Sequence, residues 1–316
     1  MGVFDLAPGR NTQRGFWGFD FQLVDGYVHV KSTGVRFKND WQLWADIWRW
    51  FTYYLFVRLH GFWARLTTPR GPRIWFAPHR PRPWYIIWAA MVWGGFEFAS
   101  SPERADAAFY FEDQTVAGRR RRATRKLSIS SVGDVSKSAV ARVMEEAFGY
   151  PLAIDPATFV GEAVEKGEGN GLHDGRTVSC PMQPVAGKAY QRVIKTESAD
   201  GWAHDLRTAC VGGRPVVVFV KKKPAAARFS IQNTSVVVKM PEEVFSPAEL
   251  AQLSTFCAAM KLDWGGLDVL REYDSGRLYV VDVNKTDTGP AVVLNWRDRS
   301  KATTLLSEAL RKMVSA

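Results

Sequence analysis

Residues Leu262 to Pro290 read LDWGGLDVLREYDSGRLYVVDVNKTDTGP. Two runs rich in Leu, Val and Tyr, Gly266–Tyr273 and Arg277–Asn284, flank Asp274-Ser275-Gly276. The pattern predicts a β-hairpin with a three-residue loop, a type I turn followed by a residue at positive φ, where Gly276 belongs. Tyr273 then faces Arg277, and counting back sets Asp268 opposite Asp282. Asn284 lies diagonally on the same face, two residues along from Asp282. Opposed like charges destabilise a hairpin unless something positive lies between them. Two carboxylates and an amide oxygen in an otherwise apolar hairpin suit a hard divalent cation, magnesium above all. The plain alternative is an ordinary hairpin with a few solvated acids.

The rest of the chain narrows the choice. It is long enough, at 316 residues, for one large core or two to three small ones. With 46% hydrophobic and 23% charged residues it has the composition of a globular protein and not of a disordered one. Its net charge of +10 favours anionic partners: nucleotides, phosphorylated substrates, nucleic acid or an acidic membrane surface. Part of that charge is the run Arg119–Arg122 with Arg125 and Lys126. No aromatic residues are interleaved there and no nucleic-acid motif follows, so the run reads as a solvated loop and no nucleic-acid partner is expected. Cys180, Cys210 and Cys257 are odd in number and widely spaced, which argues against a disulfide framework or a zinc site and for a reducing compartment. The N-terminal stretch has no basic-then-apolar signal, and the longest uncharged apolar run, Pro83 to Phe96, is too short to span a bilayer. A cytoplasmic location is expected, with the inner face of the membrane as an additional place of residence.

Residues 1–70 form an aromatic-rich extension. Tyr27–Val30 reads as a strand, and from Asp40 to Leu66 the residues Trp41, Trp44, Trp48, Phe51 and Leu55 recur at helical steps behind Asp40 as N-cap. This helix has more apolar side chains than one face needs, with Arg49, Arg58 and Arg65 interspersed. It suits packing on the body of the protein or in a homodimer interface. It also suits lying on an acidic membrane through residues 40–66, with arginines towards the lipid. Residues 71–128 read as a small α/β unit: strand Arg73–Ala77, helix Trp84–Trp93 ended by Gly94-Gly95, strand Phe96–Phe98 and strand Ala107–Phe111. No Gly-x-Gly-x-x-Gly turn is present, so NAD is not inferred.

Beyond residue 129, Asp134–Gly149 reads as a helix with Gly149 as C-cap, and Ala163–Lys166, Gly187–Lys195 and Val211–Lys222 read as strands. Ser246–Met260 is a helix with Ser246 as N-cap, Pro247 at its first position and Glu249 completing a capping box. Lys301–Val314 closes the chain as an amphipathic helix. Directly after the strand-borne Lys166 come Gly167, Gly169, Gly171 and Gly175. Such glycines let backbone N–H groups converge on an anion, and the lysine adds a point charge for phosphate. The stretch is not a Walker loop, because no Gly-Lys-Ser/Thr opens a helix. Taken alone it reads first as a flexible hairpin loop.

In order, Lys137, Lys166 with its glycine-rich loop, Gln191–Ile194, Asp205-Leu206-Arg207, Lys221–Lys223, Asn233, Asp268 and Asp282-x-Asn284 resemble the ATP-grasp superfamily. The resemblance covers about Asp134 to Pro290, and the α/β unit before it is similar to the small domain that usually precedes the family's core. It implies an α+β / α/β architecture: an ATP-grasp fold over 129–316, with α+β lobes at 129–200 and 201–316 gripping ATP. A small Rossmann-like α/β domain at 71–128 and the aromatic-rich extension would come first.

By the same resemblance, Lys137 and Lys166 would contact ATP, with Gly167, Gly169 and Gly171 in the phosphate-covering loop. Gln191, Arg192, Val193 and Ile194 would receive adenine through the backbone. Arg207 and Lys222 would be the catalytic cations at the γ-phosphate, and Asn233 would lie nearby. Asp268, Asp282 and Asn284 would hold magnesium. The family often has glutamate where this chain has Asp282, and the shorter side chain has less reach for bidentate coordination.

Phosphoryl transfer requires positioning and charge neutralisation more than a covalent nucleophile, so this inventory suffices without a Ser-His-Asp or Cys-His set. His173 is the one histidine in the loop, and it reads as a surface residue. The first functional expectation is an ATP-dependent ligase activating a carboxylate as an acyl-phosphate for attack by an amine or similar nucleophile. The second is an ATP-grasp kinase that phosphorylates a hydroxyl of a lipid or glycan precursor at the membrane, motivated by the aromatic-basic helix. The third is a nucleotide binder without catalysis, against which the opposed carboxylates argue. The substrate is expected to be a small molecule or a lipid or glycan precursor.

Overall fold

The computed structural model describes residues 17–31, 36–67, 71–117, 127–172, 174–198, 201–224 and 235–315. The Arg-rich run 119–126, His173 and Asn233 lie outside them. The described residues fall into two compact units: one takes those up to Asp113, residues 127–128 and those from Thr288 onward, and the other takes 114–117 and Ile129–Asp287.

In the first unit, β1 (Phe21–Val24), β2 (Tyr27–Val30) and β3 (Arg36–Lys38) form an antiparallel meander. Asp25 and Gly26, with φ of 51° and 73°, make the two-residue turn that the strand twist favours. Helix α1 (Trp41–Thr67) starts where expected, with Leu43 N–H donating to the Asp40 carboxylate at 3.1 Å. Strand β4 (Arg73–Pro78) pairs in parallel with β5 (Glu97–Phe98) and with β6 (Ala107–Phe111), as the strand-helix-strand pattern predicts. Strand β7 (Leu127–Ile129), where the chain passes to the second unit, lies at the edge of that sheet.

Helix α2 (Ile86–Trp93) is apolar on every side, and all eight of its residues are buried. It packs against α1, where Gly61 removes the Cβ that would run into Val92, and against α5 (Trp296–Ser315). Tyr53 of α1 is hydrogen-bonded to Thr303 of α5, and Arg299 donates to the Arg49 carbonyl. The last helix, expected in the second lobe of a 129–316 domain, therefore belongs to the unit that contains α1. Its apolar stripe is buried by α1 and α2.

The second unit holds two antiparallel sheets. Strands β8 (Gly161–Gly167), β9 (Arg176–Cys180) and β10 (Lys188–Arg192) are ordered β10-β8-β9. The larger sheet, ordered β13-β12-β11-β14-β15, contains β11 (Trp202–Val211), β12 (Arg214–Pro224), β13 (Ser235–Lys239), β14 (Trp264–Arg271) and β15 (Leu278–Asn284). Helices α3 (Lys137–Phe148) and α4 (Pro247–Met260) share one core with it: Val140, Met144 and Phe148 meet Leu253, Phe256, Leu267 and Val280. Ser136 caps α3, Gly149 ends it at φ 81°, and Ser246 with Glu249 forms the expected capping box on α4.

Asp268 is paired with Asp282, as the sequence predicts, but by a different route. The loop is one residue longer than read: Glu272 N–H donates to the Arg277 carbonyl, and Tyr273 N–H donates instead to the Lys195 carbonyl. From Arg271↔Leu278 to Val269↔Val280 the register is therefore shifted by one. A β-bulge then makes Val281 the extra residue and restores Asp268↔Asp282. Without that bulge Val281 would oppose Asp268, and Asp282 would point to the other face.

Candidate functional site

Each hairpin acid is held by a cation from another element. Lys137, at the first turn of α3, donates to Asp282 Oδ1 at 2.6 Å. Arg207 of β11 stands directly opposite Asp268 of β14 and reaches Asp268 Oδ2 with Nη1 at 2.7 Å. With the Asn284 amide turned so that its donors and acceptors are satisfied, its oxygen accepts from Arg207 Nη1 at 2.6 Å. The other side of the guanidinium is gripped by Asp287, whose Oδ1 accepts from Nη2 at 2.6 Å. Gly266 leaves room for this clamp, since a Cβ there would run into the Asp287 carboxylate and stand 2.8 Å from Arg207 Nε.

Strand alternation separates the three lysines at the end of β12. Asp205↔Lys221 and Arg207↔Phe219 are register pairs, so Lys221 and Lys223 share the face of Arg207 and Asp268. Lys221 Nζ is 4.0 Å from Asp268 Oδ1, and Lys223 is paired with Asp205 at 2.7 Å. Lys222, favoured from sequence, pairs with His204 on the opposite face, and its Nζ lies 4.8 Å from the Trp202 ring centroid. The period-two strand makes Lys221 the member of the run that faces the acids.

The smaller sheet brings a second group. Lys166, Val164 and Gln191 share one face, and Lys166 Nζ donates to Gln191 Oε1 at 2.9 Å. Gln191 Nε2 is buried with no hydrogen-bond partner. Val193 and Ile194 follow the end of β10. Arg192, by contrast, has its N–H committed to the Leu152 carbonyl at 2.9 Å. Along the glycine-rich loop, Gly167 N–H donates to Asp174, and Ser138 N–H at the start of α3 donates to Glu168 at 3.1 Å. Gly169 is packed against Leu172, and Gly171 takes φ 73°, a conformation L side chains avoid.

Electrostatics ties the two groups together. Burial pushes the Lys166 ammonium down, while Asp282 and Asp268 pull the other way. Burial also works against ionisation of Asp268, but Arg207 and Lys221 outweigh it and hold its carboxyl at about 2. Burial disfavours the Arg207 cation, yet Asp268 and Asp287 hold its pKa above the ordinary arginine value. Lys137, Lys166, Lys221 and Arg207 together outnumber Asp268, Asp282 and Asp287, so the site retains positive charge for an anion.

The residues present suit magnesium and a nucleoside triphosphate. No cluster of three or more His, Cys, Asp or Glu side chains with metal-site geometry exists among the described residues. Two carboxylates and an amide oxygen are nevertheless the partial oxygen set that magnesium takes when phosphates complete its shell. The unpaired Gln191 amide nitrogen is a donor that suits the acceptor edge of a nucleobase.

Asp287 was not singled out in the sequence. Its partner is 80 positions upstream, and nothing in Thr286-Asp287-Thr288 marks it locally. Lys221 was within reach of sequence reasoning, since counting alternate residues from an Arg207–Asp268 pair selects it.

No family model matches the chain, and no curated protein matches it in sequence. Among solved structures, the ATP-grasp ligase PsnB complexed with a minimal precursor, Mg and ADP is similar over 77% of this chain and 98% of its own. Its TM-score is 0.50 and its identity 11%. The same ligase with a phosphomimetic precursor variant matches 78% of this chain and 100% of its own, at TM-score 0.48 and 12% identity. A RimK domain ATP-grasp protein from Sphaerobacter thermophilus matches 77% of this chain and 100% of its own, at TM-score 0.46 and 13% identity. The fold assignment rests on the first of these: the chain has the ATP-grasp fold.

Proposed function

We propose that this chain is a magnesium-dependent ATP-grasp ligase that activates a carboxylate as an acyl-phosphate and joins it to an amine or similar nucleophile. The observation that carries the reading is the convergence of Lys137, Lys166, Lys221 and Arg207 on Asp268 and Asp282, with Asn284 beside them. The ligase direction is supported by the similar structure, itself a ligase solved with Mg and ADP.

Bound magnesium would supply charge neutralisation across the β- and γ-phosphates. Asp268, Asp282 and Asn284 are the oxygens that would hold it. Lys137 and Arg207, here paired with those acids, would turn to phosphate oxygens. Lys166 and the loop behind Gly167 would cover the phosphates, and Gln191, Val193 and Ile194 would receive the base. Lys221 and Arg207 would stabilise charge on the transferred phosphoryl group. The carboxylate oxygen forms the new bond to the γ-phosphorus as ADP leaves. The amine nitrogen then attacks the acyl carbon, and inorganic phosphate departs with the bonding pair.

ADP release measured over a panel of carboxylates, with hydroxylamine as a trap, tests the reaction. Magnesium-dependent ADP release accompanied by hydroxamate is the expected result. Turnover that leaves no hydroxamate and phosphorylates a hydroxyl acceptor would replace the ligase with the kinase reading. Asp282→Ala is expected to abolish magnesium-dependent turnover, and wild-type turnover in that variant would remove the site assignment.

A further inference from the structure

Helix α1 is buried along Tyr53, Val57 and Gly61, yet its opposite side is also apolar and is open. Trp41, Trp44, Trp48, Leu55, Leu59 and Leu66 are 44% to 82% exposed. At 100° per residue these six fall within roughly 60° of arc, and they run straight for about 37 Å. Phe62 falls on the same arc, and Trp63 widens the row at its C-terminal end. A ridge of this size is larger than the patches a soluble surface normally leaves uncovered.

Its flanks are cationic. Arg58 is exposed on one side of the row and Arg49 lies on the other. The only acid within the helix, Asp46, is already occupied by Arg49 at 3.1 Å and by Gln42. Just before the helix, Arg36 and Lys38 are exposed on β3 on either side of the exposed Phe37.

Two features count against a second copy of the chain as the cover. A seam of seven-residue period begun at Trp41 and Trp44 would place Arg58 and Arg65 at core positions. Self-packing would also oppose like-charged flanks in a chain of net charge +10. No helix among the described residues is long and apolar enough to cross a membrane. A convex, indole-rich ridge between arginines fits a plane that is apolar beneath and negative on top.

We propose that the open face of α1 docks the protein flat on an acidic lipid surface. The inference is independent of the nucleotide site. The test is co-sedimentation of the full chain with phosphatidylcholine vesicles, with and without phosphatidylglycerol, alongside its solution mass and ATP turnover without vesicles. Binding to the phosphatidylglycerol vesicles, weakened by salt, is expected from a chain that is monomeric in solution. Trp48→Glu with Leu59→Glu should lower vesicle partition on the order of tenfold or more while leaving mass and turnover unchanged. Arg58→Glu, which keeps the ridge intact, should lower the preference for phosphatidylglycerol. No binding by the wild-type chain overturns the proposal. So does a wild-type dimer that Trp48→Glu with Leu59→Glu converts to monomer, since the ridge would then be a self-interface.

Discussion

Asp263 and Asp268 are five residues apart, and the fold drives their carboxyls in opposite directions. Burial lifts Asp263 to about 6, although Ser130 N–H donates to it at 2.5 Å. Asp268 is held at about 2, where Arg207 and Lys221 overcome its burial. Unfolded, both titrate near ~3.9. A raised acid binds its proton more tightly in the folded state, so Asp263 makes stability fall as pH rises from about 4 to about 6. A depressed acid does the reverse: Asp268 contributes stability above about 4 that is lost as pH falls towards about 2. Denaturant midpoints across this range should show both slopes. Asp263→Asn, which keeps the acceptor oxygen, should flatten only the upper one, and an unchanged profile would contradict the burial argument. The two lysines offer a second contrast. Lys221→Ala should lower ATP turnover on the order of 100-fold, whereas Lys222→Ala, on the opposite face, should leave it near wild type. Equal losses in the two variants would mean that strand alternation does not decide which lysine serves the site.

At the scale of the element, the hairpin was legible for a partly wrong reason. Alternation of Leu, Val and Tyr and the turn at Gly276 marked two strands, and the opposed acids were found where counting put them. The counting assumed a shorter loop. Tyr273 is drawn off by the Lys195 carbonyl, a contact across 78 positions that no local pattern contains, and the bulge at Val281 compensates. The element's glycines separate fold from chemistry. Gly276 takes φ 71° with open space around it, so Gly276→Ala should cost about 1 kcal/mol in denaturant unfolding and leave ATP turnover intact. Gly266→Ala pushes on the Arg207–Asp287 clamp instead and should reduce turnover more than stability. The opposite ranking would show that the clamp has no part in the chemistry.

Across the whole molecule, local signals located most helices and the three parallel strands β4, β5 and β6, because caps and apolar periodicity lie within a few residues. Strands β7, β9, β11 and β13 were missed. Their residues alternate weakly, and β11 owes its place to pairing with β12 and β14 on either side. The placement of α5 beside α1 and α2 was also outside sequence reach, since an amphipathic stripe says that a face is covered and not by what. The site followed the same division. Residue types and order grouped Lys137, Lys166, Arg207, the Lys221–Lys223 run and the hairpin acids, and register selects Lys221 from that run, whereas Asp287 became visible only when the fold joined distant positions. A ligand of the folded state alone stabilises it, so a magnesium–ATP analogue at about 100 times its dissociation constant should add about 2.7 kcal/mol to unfolding.

The central claim, that the hairpin acids hold the metal of a nucleotide site, is tested most directly by calorimetric titration of a non-hydrolysable ATP analogue. Affinity is compared with and without magnesium in the wild-type chain and in Asp282→Ala. The account predicts that magnesium tightens binding in the wild type and that the variant loses this gain while still binding the metal-free nucleotide. An equal magnesium gain in both proteins, or no nucleotide binding by the wild type, would contradict it.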